Sequence, residues 1–184
     1  MSILELLGFH RGSPRQAAGD TETVRRIVGE LESLPPESAR YVAAFAFILS
    51  RVANADLEVS AEETRRMEQI LSRVGHLAAE QARLAVDLAK AQHQLAGGTE
   101  SFLVTREFRE IATREQCREL LDCLFAVSAA DESISGVEEG QIRQIASELG
   151  FSPGELSTIR AAWADKREIL KGFGGKGKAP DSYN

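Results

Sequence analysis

The chain has 184 residues, 43% of them hydrophobic, and a formal net charge of −6. That length supports one domain with a full-sized core, and the negative charge argues against the basic footprint that nucleic acid requires, so no nucleic-acid partner is expected. The longest apolar run, Tyr41 to Leu49, is too short to cross a bilayer, so no transmembrane segment is expected either.

Met1 to Phe9 lacks the basic start and unbroken apolar stretch of a secretory signal, which reads as a cytoplasmic chain. This segment is expected to dock on the chain's own core, with peripheral membrane contact through residues 1–9 as the alternative. His10 to Gly19 contains Gly12, Ser13, Pro14 and Gly19 without apolar periodicity, so residues 1–19 form an N-terminal segment and linker. From Asp20, Val24, Ile27, Val28, Leu31 and Leu34 recur at helical spacing until Pro35-Pro36 stops one helix and starts the next. The second helix carries Tyr41, Phe45, Ile48, Leu49 and Val52 on one stripe and runs to about Ala55.

Ser60-Ala61-Glu62-Glu63 has the form of a capping box opening a helix with Met67, Ile70, Leu71 and Val74 on its apolar face. Gly75 is expected to end that helix in the left-handed conformation. Leu77 to Ala96 is alanine-rich, with Leu84, Ala85, Leu88, Ala91 and Leu95 at helical spacing. Thr99 to Ala112 reads as a connecting helix with Phe102, Leu103, Phe108 and Ile111 as its apolar residues. Thr113 to Gln116 is a second capping box, opening a helix that ends at Ala129. A further helix ends at Leu149-Gly150, and Ser152-Pro153-Gly154-Glu155 starts the last one, which carries Leu156, Ile159, Trp163 and Leu170. Residues 171–184 are glycine- and lysine-rich and cannot repay their ordering entropy, so they read as a disordered tail. No run of β-branched residues alternates with period two, so the fold is expected to be all-α.

Residues 53–63 and 128–138 are two copies of one pattern, 75 positions apart: an acid at the end of an apolar helix, an aliphatic residue, a serine, and a second acid seven residues after the first. Asp56 matches Asp131, Val59 matches Ile134, Ser60 matches Ser135 and Glu63 matches Glu138. The register continues on both sides, Phe45, Ile48, Leu49 and Val52 falling on Leu120, Cys123, Leu124 and Val127, and Leu84 and Leu88 on Ile159 and Trp163. The chain therefore predicts a compact bundle of about eight helices built from two helix-loop-helix pseudo-repeats.

Alanine-rich helix, Ala-Asp, an aliphatic residue three after the aspartate and a glutamate seven after it form a pattern that resembles the tellurite-resistance TerB family, shared with the N-terminal domain of DjlA-type co-chaperones. The resemblance covers residues 20–170 and carries the motif twice. It implies an all-helical cytoplasmic domain of bacteria, active in tellurite, stress or metal-ion response, with acidic residues on one side proposed as a cation or partner site. The matching positions are Asp56 and Glu63, and Asp131 and Glu138; Leu57 and Glu132 stand where the family usually has glycine.

Two readings of the acids stay open. Asp56, Glu58 and Glu63, with Asp131, Glu132 and Glu138, offer oxygen ligands suited to Ca²⁺ or Mg²⁺. Alternatively Ser60, Glu63, Ser135 and Glu138 are helix caps, and the acidic face meets a basic protein partner as an interaction scaffold. The seven-residue spacing and missing central glycine exclude an EF-hand. A metal-dependent hydrolase is the remaining alternative, but His10, His76 and His93 have no partner at ligand spacing and Cys117 and Cys123 no neighbouring histidine, so no catalytic residue is assigned. The two cysteines, six apart on one helix, are expected to be buried thiols.

Overall fold

The computed structural model describes residues 18–52, 60–93, 101–129 and 136–162. Among these are α1 (Ala18–Ser33), α2 (Pro36–Val52), α3 (Ala61–Arg73), α4 (Ala79–His93), α5 (Ser101–Ile111), α6 (Arg114–Ser128), α7 (Gly136–Glu148) and α8 (residues 153–162). No strand occurs among the described residues, and the fold is an all-α bundle. The N-terminal segment, the tail and Trp163 lie outside the described residues.

Helix α2 is the hub, packing against α1, α4, α5, α6 and α7. Its sequence explains this: Val42-Ala43-Ala44-Phe45-Ala46 is buried without a break, so the helix is enclosed on more sides than its single predicted stripe. The alanines let neighbouring helices approach closely, and Phe45 supplies the bulk. Phe45 packs edge-on to Phe108 of α5, with ring centroids 6.1 Å apart, and Tyr41 lies 5.2 Å from the same ring.

The predicted repeat is visible as equivalent burial. Phe45, Ile48, Leu49 and Val52 and their register mates Leu120, Cys123, Leu124 and Val127 all lie in the core. Leu71 matches Ala146 and Leu84 matches Ile159, again all buried. Cys117 and Cys123 are free and buried as expected.

One local expectation is corrected. Gly75 does not take the left-handed conformation; the next residue, His76, does, at φ 52°, and the hydrogen bond from Leu77 N to Leu71 O (3.2 Å) closes the helix end around it. Gly75 is instead a packing residue, because a Cβ there would sit 2.8 Å from both Cys123 Sγ and Leu71 O. In the second copy the equivalent Gly150 does adopt φ 80°. On α5 the inward residues are Val104, Thr105 and Phe108, while Phe102 and Leu103 are 55% and 54% exposed. The three core residues fall on one helical face, and the first-turn pair lies off it.

Candidate functional site

The first acidic unit enters the described structure at Ser60, whose extended backbone (φ −61°, ψ 161°) directs its hydroxyl back over α3. Glu63 N donates to Ser60 Oγ (3.2 Å) and Ser60 N donates to Glu63 Oε2 (2.7 Å), completing the capping box read from the sequence. Hydrogen bonds from the Ser60 side chain and backbone hold the Glu63 carboxyl below its ordinary value, and its side chain faces solvent. Glu63 is thus an ionised cap with one oxygen engaged.

Its repeat mate Glu138 lies in the first turn of α7, half-buried. Next to it, Glu139 Oε1 accepts from Arg160 Nη1 of α8 (2.7 Å), and Arg143 Nη2 lies 3.6 Å away. Asp56, Glu58, Asp131, Glu132 and Ser135 lie outside the described residues, as does the separation of the two loops. Among the described residues, no group of three or more His, Cys, Asp or Glu side chains is placed to hold a metal ion.

Sequence reasoning missed the group that ties the end of α2 to α5 and α7. Arg51, the penultimate residue of α2, donates from Nη1 to Glu148 Oε2 (2.8 Å) at the end of α7 and to Thr105 Oγ1 (2.7 Å) of α5. Arg51 Nη2 reaches Glu148 Oε1 at 3.3 Å, so the contact is two-pronged. Both side chains are more than nine-tenths buried, and Thr105 is fully buried. Burial alone would raise the Glu148 carboxyl, but the hydrogen bonds from Arg51 and Thr105 prevail and hold it below its ordinary value. The repeat hides this pair, since Arg51 falls on Ala126 and Glu148 on Arg73. A lone arginine at a helix end reads as a dipole complement, and only the fold shows its partner.

A concavity of about 360 Å³ lies between α2, the α3–α4 turn and α6, lined by Glu37, Tyr41, His76, Gln81 and Glu119. His76 Nδ1 lies 2.7 Å from Glu119 Oε1. Burial, with Glu119 adding to it, pushes the Tyr41 hydroxyl well above its ordinary value, so Tyr41 stays protonated. Cys117, the other conventional nucleophile near this region, has its thiol pushed up by burial, which disfavours the reactive thiolate.

Residues 41–161, from within α2 to within α8, match a family model described as tellurite resistance protein TerB. The chain belongs to the TerB family. The match spans both acidic units and leaves α1 outside, although Ile27 and Leu31 of α1 are part of the same core. No curated protein and no solved structure matched the chain. No helix among the described residues is long and apolar enough to cross a membrane.

Proposed function

We propose that this TerB-family protein works without catalysis, as a cytoplasmic helical module of a tellurite, stress or metal-ion response that uses its acidic loop-and-helix units as a docking surface for a basic protein partner. Asp56, Glu58 and Glu63 form one unit, and Asp131, Glu132 and Glu138 the other. The supporting observation is the start of α3, where Glu63 is exposed, ionised and fixed in direction by its own cap. A guanidinium or ammonium group can share the remaining lone pairs of a capping carboxylate, whereas Ca²⁺ needs six to eight oxygens closing around it. The positive end of the helix dipole opposes such a dense positive charge further. Ca²⁺ or Mg²⁺ is therefore held weakly, as a competitor of the partner.

The test uses a lysine- and arginine-rich peptide as the basic probe and follows backbone amide shifts. Shifts at Ser60 to Thr64 and Gly136 to Glu139 that weaken with salt, and that vanish in Asp56→Lys/Asp131→Lys at unchanged melting temperature, are expected. Peptide binding that is indifferent to both substitutions would sink the docking reading. Saturable shifts at the same amides with micromolar calcium would replace it with a dedicated cation site.

A further inference from the structure

The concavity of about 360 Å³ between α2, the α3–α4 turn and α6 stands apart from the acidic units, because the length of α3, about 20 Å, separates Ser60 from this turn. Its volume falls in the range of small-molecule sites, and its walls are preformed. Gln81 and Gln116 are fixed by accepting from the amides of Ala78 (3.3 Å) and Thr113 (2.8 Å), and the Tyr41 ring by packing on Phe108. Glu119 of α6 brings the buried charge, its side chain only 17% exposed, and Glu37 in the first turn of α2 brings a second carboxylate to the same space. The negative charge reaches the cavity wall, since Glu119 adds to the burial that keeps Tyr41 protonated. His76 sits over this group at φ 52°, with Nδ1 2.7 Å from Glu119 Oε1. A non-glycine residue is strained in that conformation, and such strain persists where the side chain has a use.

The chemistry of this lining selects a positive ligand: we propose that the concavity binds an alkylammonium group, with Glu119 as its main partner and Glu37 and the Tyr41 hydroxyl completing the contact. A carboxylate accepts about four hydrogen bonds, and the imidazole takes only one of those on Glu119. An anion would meet two carboxylates with no lysine or arginine among the described lining residues to offset them. A wholly apolar ligand would strip water from the carboxylates and the hydroxyl without replacing its hydrogen bonds. An ammonium group answers both demands, and its attraction to a carboxylate this buried exceeds that of a surface pair. A metal ion suits the place less well, because Glu37, His76 and Glu119 do not form a metal-holding group. The same ammonium chemistry is carried by a free small amine and by a lysine side chain of a partner. The proposal stands independently of docking at the acidic units.

Titration of the full chain with n-butylammonium, followed by backbone amide shifts, tests this against 1-pentanol as the uncharged analogue. Saturable shifts at Ser38, Tyr41, Gly75 to Leu77 and Glu119 are expected with the amine, and at least tenfold weaker ones with the alcohol. Glu119→Gln should weaken amine binding tenfold or more. Glu37→Gln, a change on an exposed first turn, should weaken it several-fold without altering the fold. Asp56→Lys/Asp131→Lys should leave it unchanged, so that failure of the acidic units as a docking surface does not touch this result. Displacement of the amine by oligolysine identifies a partner's side chain as the source, and its absence a free amine; either upholds the proposal. Equal shifts with the alcohol, shifts that survive both glutamine substitutions, no shifts at these amides, or shifts lost in Asp56→Lys/Asp131→Lys would each overturn it.

Discussion

At the scale of single residues, the start of α3 separates capping from metal ligation. Ser60→Ala removes the acceptor for Glu63 N and should lower stability by about 1 kcal/mol, equally with and without calcium, in paired denaturant titrations. A loss that calcium restores would mean that the serine supports an ion. The turn after α3 offers a second, paired test. Gly75→Ala drives a Cβ to 2.8 Å from Cys123 Sγ and the Leu71 carbonyl and should cost about 2 kcal/mol. His76→Gly removes a left-handed non-glycine residue, worth about 1 kcal/mol or more, and loses only a solvent-exposed contact to Glu119, so it should stabilise. Melting temperatures that moved in the same direction for both variants would contradict these separate roles.

At the scale of helices, the Arg51–Glu148 pair joins the hub to the second repeat. Arg51→Met strands a buried carboxyl against Thr105 and should cost about 3 kcal/mol, whereas Arg51→Met/Glu148→Leu should return to within about 1 kcal/mol of the parent. Urea midpoints of the two variants and the parent decide this. The start of α8 has a pH signature. The Ser152 amide and hydroxyl, with Arg114 behind them, hold Glu155 at about 2, against an ordinary value of 4.5. A depressed carboxyl contributes its stabilisation above the ordinary value and loses it as pH falls toward the folded one. Stability measured from pH 4.5 down to 2 should therefore fall more steeply in the parent than in Glu155→Gln.

For the whole molecule, the question is whether α1, outside the TerB match, belongs to the same cooperative unit. Ile27 is fully buried, and Arg26 and Glu30 tie α1 to Asp87 and Arg83 of α4. Ile27→Ala should thus cost about 3 kcal/mol in the single unfolding transition followed by both near- and far-ultraviolet dichroism. A small early loss of helix, with the main transition unmoved, would show α1 to be an appendage. The same integration explains why the family pattern does not delimit the folded body: the core continues past Tyr41 toward the N-terminus.

Much of this was legible in the chain itself. The acidic pattern identified the family, the 75-residue register picked out equivalent buried positions such as Phe45 and Leu120, and the Ser60–Glu63, Thr113–Gln116 and Ser152–Glu155 boxes were read from residues three apart. These features depend on local hydrogen bonds and on helical periodicity, which the sequence encodes within one or two turns. Both members of each box lie within reach of one another before any tertiary contact forms. The tertiary structure decided what depends on distant neighbours. Phe102, Leu103 and Phe108 were alike in the sequence as apolar residues of a connecting helix, and only the fold separates them: α5 turns Val104, Thr105 and Phe108 to α2 and leaves Phe102 and Leu103 outward. Gly75 looked like a left-handed cap and is a clearance for Cys123, 48 positions away, so the positive φ falls on His76. Arg51 and Glu148, 97 positions apart, have no shared signal in either repeat. Which side chains meet across such separations is set by how α2, α5 and α7 cross, a property of the packed bundle that no local pattern carries.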